Sequence, residues 1–250
     1  MNLFVISVAL MTFYLCHMCK CEPWWIQSRE IYEHHKDLQA MARFVVPYAM
    51  NCSPIASSYD LFNPWTGIGV RFYSRSQDLL VIFDADISLQ MLEQQACNVT
   101  ISESSLTCVG HYSHMLYRSI SASILHSNMF HILLRQHAYV VVSGHGFGGT
   151  LAQLFMFDIS HLFKLQKGFL ITFGSPAAGN VKFSQGVCKD VECIHIHNEH
   201  DTFWLLQSAS FMYDQQYIFK SFTDQQMLNK NVMQLTNFYH DSYLGIQYCK

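Results

Sequence analysis

The sequence predicts an α/β fold with a mostly parallel central sheet and helices on both of its faces. First, strand-like apolar runs alternate with helix-like runs, separated by glycine turns, as in chains that build parallel sheets. Second, Tyr139–Val142 is apolar without alternation, which is typical of a strand buried on both faces. The chain has 250 residues, with no linker or repeat, and this length favours one large domain.

The first part of the chain predicts helix and then a hairpin. Glu22–Tyr48 has apolar residues at three- and four-residue steps, which indicates one or two amphipathic helices. Gly69–Tyr73 and Asp78–Phe83 are strand-like and close enough in sequence to pair. Asp84–Cys108 is less regular, with a helical pattern at Leu89–Gln95, and the sequence leaves open whether it forms a lid.

The second part predicts the rest of the sheet. Tyr112–Leu134 reads as one long helix with an apolar face. The elements expected after it are a strand at Tyr139–Val142, a helix at Leu151–Ile159, strands at Gly168–Phe173 and Cys193–His197, and an irregular end, Thr202–Lys250, with helix around Asp224–Leu235.

Charge and composition exclude some partners. Charged residues make up 13% of the chain, its net charge is −3, and no basic block is present, so phosphate-directed nucleic-acid binding is not expected. The 14 histidines add positive charge only below about pH 6.5. No pattern in the sequence predicts a cofactor or a metal site.

The N-terminus predicts secretion. Leu3–Cys16 is an apolar run too short to cross a bilayer comfortably, but typical of a signal peptide core. The lysines and arginines usual before such a core are missing, and a retained anchor is the alternative. We therefore expect a signal peptide at residues 1–21, a domain at 22–250 and an extracellular protein.

The nine cysteines fit an oxidising compartment. The cysteines that follow the predicted signal peptide could pair in many ways. Their spacing favours Cys97–Cys108 and Cys188–Cys193, which leaves Cys52 for Cys249, although some could be free buried thiols. Asn51 and Asn98 begin N-glycosylation triplets, each a weak signal by itself.

The most informative stretch is Val140–Ala152, where a β-branched run meets a glycine-rich turn and then a helix-like run. Hydrolases place a nucleophilic serine at the tip of such an elbow, in the pattern G-x-S-x-G, whereas this chain has Gly146 there. Gly144, Gly146 and Gly149 also spell the dinucleotide fingerprint G-x-G-x-x-G. That fingerprint needs an acidic residue at the next strand end, but this strand ends Thr172-Phe173-Gly174.

Several motifs, in order, identify a family. The elbow is similar to S/T-G-H-S-L-G-G, Thr172–Asn180 to T-F-G-x-P-R-V-G-N, and His240–Gly245 with Cys249 to a terminal H-x-x-Y-F-G…C. Over residues 22–249 the chain resembles the class 3 (fungal-type) lipase family of the α/β-hydrolase fold. The resemblance implies a lipase fold with Asp201 as the triad acid and His240 as the base.

The same resemblance shows what has changed. Gly146 stands at the nucleophile position, and Asp84-Ala85-Asp86 replaces the R-G-T or R-G-S of the oxyanion loop. The resemblance implies oxyanion positions at Phe147 and Asp86. Among the apolar residues of the chain, Phe147, Trp204 and Leu205 are candidates for the wall of an acyl pocket, and the alternative is that each of them belongs to the core.

The chemistry favours a catalytically inactive protein. Without the serine no acyl-enzyme forms at the elbow, which costs on the order of 10⁶ in kcat in serine hydrolases. A carboxylate at Asp86 would also repel a developing oxyanion. We expect a lipase-like protein that binds a lipid or acyl ligand, a protein partner or a lipid surface. The alternative is an active lipase or carboxylesterase that uses Ser143, Ser175 or a water activated by His240 and Asp201.

Overall fold

The protein is described here from a computed structural model. The residues it describes are 45–52, 56–75, 77–85, 97–100, 107–163, 165, 167–198, 201, 203, 217–219, 242–243 and 246–247, with the backbone alone at 97–100 and beyond 203. The predicted signal peptide, the helical pattern at Leu89–Gln95 and most of Thr202–Lys250 lie outside these residues.

A central sheet of seven strands organises the described part of the chain. The strands are β1 (Tyr59–Asn63), β2 (Ile68–Arg75), β3 (Asp78–Ala85), β6 (Tyr139–His145), β7 (Lys167–Phe173), β8 (Glu192–Asn198) and β9 (Tyr217–Phe219), and two smaller pairs join β4 (Cys97–Thr100) to β5 (Cys108–Gly110) and β10 (Ser242–Tyr243) to β11 (Ile246–Gln247).

The sheet order is β1-β2-β3-β6-β7-β8-β9. The strands β3, β6, β7, β8 and β9 are parallel, while β1, β2 and β3 form an antiparallel meander. The mostly parallel sheet and the β2–β3 hairpin are therefore confirmed. The edge strand β1 was not predicted, since its alternation is short and half exposed.

The helices are α1 (45–49), α2 (His111–Leu125), α3 (Asn128–Gln136), α4 (Phe147–Leu162) and α5 (Val181–Val187). The prediction of a single helix over Tyr112–Leu134 is wrong. Ser127 has an extended backbone and its side chain accepts a hydrogen bond from the Phe130 N–H, so it caps the start of a second helix. No helix in the described part of the chain combines the length and apolar character needed to cross a bilayer.

Two apolar cores cover the two faces of the sheet. Alternate residues of each strand point to opposite faces, so Val81 and Phe83 join the core under α2–α5, whereas Leu80 and Ile82 join the core under α1. This explains the continuous apolar strands in the sequence, and it confirms helices on both faces.

The first turn of α4 lies directly on the end of β3. A Cβ placed on Gly148 would overlap the backbone carbonyl of Phe83. Backbone atoms of a central strand cannot move aside as a flexible side chain can. The glycine therefore sets how closely the helix approaches the sheet at the end of β3.

We expect Gly148→Ala to destabilise the fold by about 3 kcal/mol, because its added methyl meets fixed backbone. The matched control is Gly186→Ala in α5, where the new Cβ would lie 3.6 Å from the Phe157 ring, an ordinary contact. That variant should be neutral or more stable by up to about 1 kcal/mol, since alanine favours helix. Urea unfolding of both variants measures the difference, and equal stabilities would contradict the close approach.

Candidate functional site

The elbow between β6 and α4 has a backbone conformation that a side chain would strain. Gly146 has φ 53° and ψ −128°, a region that L-residues rarely adopt because of their Cβ. Its N–H donates to the Phe173 carbonyl oxygen at 2.9 Å, and its own carbonyl oxygen accepts from the Gly149 N–H at 3.1 Å. The turn is therefore fixed both to the end of β7 and to the start of α4.

The loop after β7 is held against α4 by a buried glutamine. The Gln153 Nε2 donates to the Ser175 hydroxyl at 3.2 Å and to the Pro176 carbonyl at 3.1 Å. Its Oε1 accepts from the Ala178 N–H at 3.0 Å. Thr150 also donates its hydroxyl to the Pro176 carbonyl, at 2.9 Å. Through these hydrogen bonds the Gly174-Ser175-Pro176 motif holds the loop after β7 against the first turns of α4.

Neither of the two serines considered as substitute nucleophiles presents its hydroxyl to solvent. Both Ser143 and Ser175 have a relative exposure of 0%. In the sheet register Ser143 lies between Ile82 and Ile171, both in the core under α1, so it faces away from α4. The Ser175 hydroxyl donates to the neighbouring Pro176 carbonyl and accepts from Gln153.

Asp201 lies just beyond the carboxyl end of β8 and is fully buried. Its N–H donates to the Asn198 carbonyl at 3.0 Å, and its Oδ1 accepts from the Phe203 N–H at 2.8 Å. This turn holds the carboxylate at the same edge of the sheet as the elbow. The other predicted site residues His240, Asp86, Trp204 and Leu205 lie outside the described residues.

Two buried histidines next to this site were missed by the sequence reasoning. His195 and His197 are two residues apart on β8 and share one face. The His195 Nδ1 lies 2.8 Å from the Thr172 hydroxyl, and burial keeps the pKa of His195 well below its usual range. Burial also lowers the pKa of His197 to about 3, although the Asp201 carboxylate acts to raise it. Both rings are therefore neutral at neutral pH, and the alternation Ile194-His195-Ile196-His197 was the available signal.

Two residues predicted at or near the oxyanion loop, Phe147 and Asp84, have side chains that already pack or pair within the protein. The Phe147 side chain is buried, with its ring 6.3 Å from that of Tyr112, so it exposes little surface to a ligand. The Asp84 Oδ2 forms an ion pair with the Arg71 Nη2 at 2.6 Å on the face covered by α1. Arg71 also donates to the side-chain oxygen of Asn51, the predicted glycosylation residue. The Asn98 side chain is outside the described atoms.

The described cysteines are oxidised. Cys188 and Cys193 form a disulfide, a pair that their spacing favours. Cys52 and Cys108 are also disulfide-bonded, and their partners lie outside the described side chains. The ligand atoms of Cys188, Cys193 and His195 lie within 4.8 Å of one another, but the bond between the two sulfurs leaves no thiolates for a metal.

Comparison with known proteins agrees with this geometry. Residues 83–203 match the family described as Lipase (class 3). Over 70 residues the chain is 34% identical to "Phospholipase A1-Igamma1, chloroplastic" of Arabidopsis thaliana, and the match spans 25% of this chain but only 14% of that relative's length.

Solved lipases share the fold. Lipase II from Rhizopus niveus superposes with a TM-score of 0.64 at 16% identity, covering 87% of this chain and 94% of that one. The Rhizomucor miehei triacylglyceride lipase gives 0.61 at 19% identity, covering 89% and 97%. The fold is therefore that of the α/β-hydrolases, and the matches together support the class 3 lipase family.

We expect the buried histidines to make the free energy of unfolding sensitive to acid. In the unfolded chain a histidine takes up its proton below about pH 6.5, but His197 in the folded chain does not do so until about pH 3. Stability is therefore complete above pH 6.5 and is lost as the pH falls below it, by about 1.4 kcal/mol per pH unit for each such histidine. We expect His197→Gln to show a slope shallower by about this amount between pH 6.5 and 5.

The matched control for this measurement is His126→Gln, which changes an exposed ring at the end of α2. Its slope should equal that of the unmodified protein. Chemical unfolding at half-unit pH steps gives all three slopes, and identical slopes for His197→Gln and the unmodified chain would show that His197 is not held neutral.

Proposed function

We propose, from the support for the class 3 lipase family at residues 83–203, that this chain is a lipase-like protein that binds the acyl part of a lipid at the elbow without hydrolysing it. The observation that carries this proposal is Gly146, which lies between β6 and α4 in the positive-φ conformation of the elbow tip. At that tip hydrolases carry their nucleophile.

The absence of a nucleophile at the tip removes the covalent route. Acyl transfer requires an oxygen or sulfur that attacks the ester carbonyl, a base that takes its proton and donors for the oxyanion. Glycine supplies no such atom, and Ser143 and Ser175 are both fully buried. Substrate binding and oxyanion stabilisation alone accelerate hydrolysis by about 10³–10⁴-fold over the reaction in water. Such a rate is too low for a working lipase.

Binding needs less than catalysis does. A site for an acyl chain requires apolar walls and a dry floor, and it keeps both when one hydroxyl is missing. Near the elbow, the Asp201 carboxylate is buried. The buried rings of His195 and His197 are neutral, so these three side chains expose no charge there. In this proposal Trp204 and Leu205, the apolar residues that follow Asp201 in the sequence, contribute the wall of the site.

In our proposal the protein is secreted and binds its ligand outside the cell. The apolar run Leu3–Cys16 acts as a signal peptide, and the Cys188–Cys193 disulfide suits an oxidising compartment. The sparsely charged surface, with 13% charged residues in the sequence, suits contact with a lipid surface that has no strong charge.

The test compares the unmodified chain with Gly146→Ser and Gly146→Ala. We expect no hydrolysis of p-nitrophenyl butyrate or octanoate esters by the unmodified chain, and no labelling by a serine-directed phosphonate. Both variants should lose about 1–2 kcal/mol of stability because each places a Cβ at positive φ. The alanine variant thus separates the cost of the elbow strain from the effect of the hydroxyl.

Native mass spectrometry of the unmodified protein should show a bound fatty acid or acyl lipid. Hydrolysis by the unmodified chain that the phosphonate blocks would contradict the proposal and favour an active esterase. A ligand-free spectrum together with no binding of added fatty acid at the elbow would instead favour a protein-binding role.

A further inference from the structure

The sheet carries a second concave site at the end opposite to the elbow. A pocket of about 290 Å³ lies where α3, the start of β6 and the segment after α4 meet. The strand β6 runs from this pocket to the elbow, and its seven residues span roughly 20 Å. The pocket is therefore separate from the candidate site around Gly146 and Asp201.

Apolar and polar groups contribute similar shares of the surface of this pocket. Its apolar part is lined by Leu134, Ala138, Val140, Phe163 and Leu165. The Phe163 ring packs edge-on against the Phe130 ring, with centroids 6.0 Å apart, so the core fixes its position. A ligand that fills the pocket would thus bury an apolar body against a preformed surface.

The polar lining is basic. His131 and Arg135 are four residues apart on α3, which places them on one face of the helix. His137 is nine-tenths buried, and both of its nitrogens are used within the protein. Its Nδ1 donates to the Leu133 carbonyl at 2.7 Å, and its Nε2 lies 2.8 Å from the Ser74 hydroxyl. His131 and Arg135 are therefore the groups left for a ligand.

No acid balances this charge within the described residues. Neither Asp nor Glu lines the pocket, and in the same part of the chain the Arg135 guanidinium has no ion pair and no hydrogen bond. The His131 ring packs edge-on against the Phe163 ring, with centroids 5.5 Å apart, but makes no hydrogen bond to another described residue. A permanently charged guanidinium beside apolar side chains is complementary to a carboxylate on an apolar body.

We propose that this pocket binds a small organic monocarboxylate. The Arg135 guanidinium holds the carboxylate through two parallel hydrogen bonds, and the His131 ring adds a donor at its edge. The aliphatic or aromatic body lies against Leu134, Phe163 and Leu165. The proposal does not depend on the function proposed for the elbow, since none of these residues belongs to that site.

The test uses octanoate and its uncharged counterpart 1-octanol, titrated into the full chain by two-dimensional NMR. We expect octanoate to shift the amides of α3 and of Phe163, and 1-octanol to bind there at least tenfold more weakly. Arg135→Gln should weaken octanoate binding at these amides about tenfold. The matched control is Arg118→Gln, which removes an equally exposed arginine from α2 and should change nothing.

The position of the shifted amides separates this site from the elbow. Shifts confined to residues around Gly146 and Asp201, with α3 unaffected, would overturn the pocket while leaving the proposed function intact. Equal affinity for octanoate and 1-octanol at α3, or no effect of Arg135→Gln, would also overturn it. If octanoate binds at α3 but not at the elbow, the pocket stands and the acyl-binding function fails.

Discussion

The close seating of α4 on the ends of β3, β6 and β7 is the constraint on which the rest of the structure depends. The helix begins one residue after a glycine of positive φ, and its first turn touches the Phe83 backbone where Gly148 has no side chain. The Gly146 N–H bonds to β7, and the next loop bonds to β8 through Gly174 and Ile196. These contacts together fix the position of α4 against the ends of the three strands.

This constraint gives the lipase-like motifs a structural role in a chain whose elbow carries glycine at its tip. The T-F-G-S-P segment is bound to α4 by Gln153, which satisfies Ser175, Pro176 and Ala178 at once. A buried polar side chain with several partners is costly to disturb, because each group left behind loses its hydrogen bond. These residues therefore have a role in the fold whether or not the chain hydrolyses esters, so their presence is evidence of the fold and is weak evidence of hydrolysis.

The sequence predicted the parts of the molecule that depend on local pattern. The strands β2, β3, β6, β7 and β8 were found because their apolar runs are long and bounded by turns. The break at Ser127 was missed because the apolar spacing continues through it and only the capping side chain marks it. The short helix α5 was also missed, since Asn180 both caps it and belongs to a family motif.

The candidate site was only partly predictable, for a physical reason. The order of motifs along the chain indicated Asp201 and the elbow, but burial is a property of the assembled layers. The neutral state of His195 and His197 results from the sheet and helices that enclose them. The basic pocket on α3 likewise joins residues of three elements that share no motif.

The two ends of the sheet differ in the charged groups that are described there. At the elbow end, Asp201 is buried and the Asp84 carboxylate is paired with the Arg71 guanidinium. At the other end Arg135 offers a permanent positive charge beside apolar walls. The proposed carboxylate pocket therefore depends on this unpaired guanidinium, whereas the proposed acyl site depends on the elbow around Gly146 at the other end of β6.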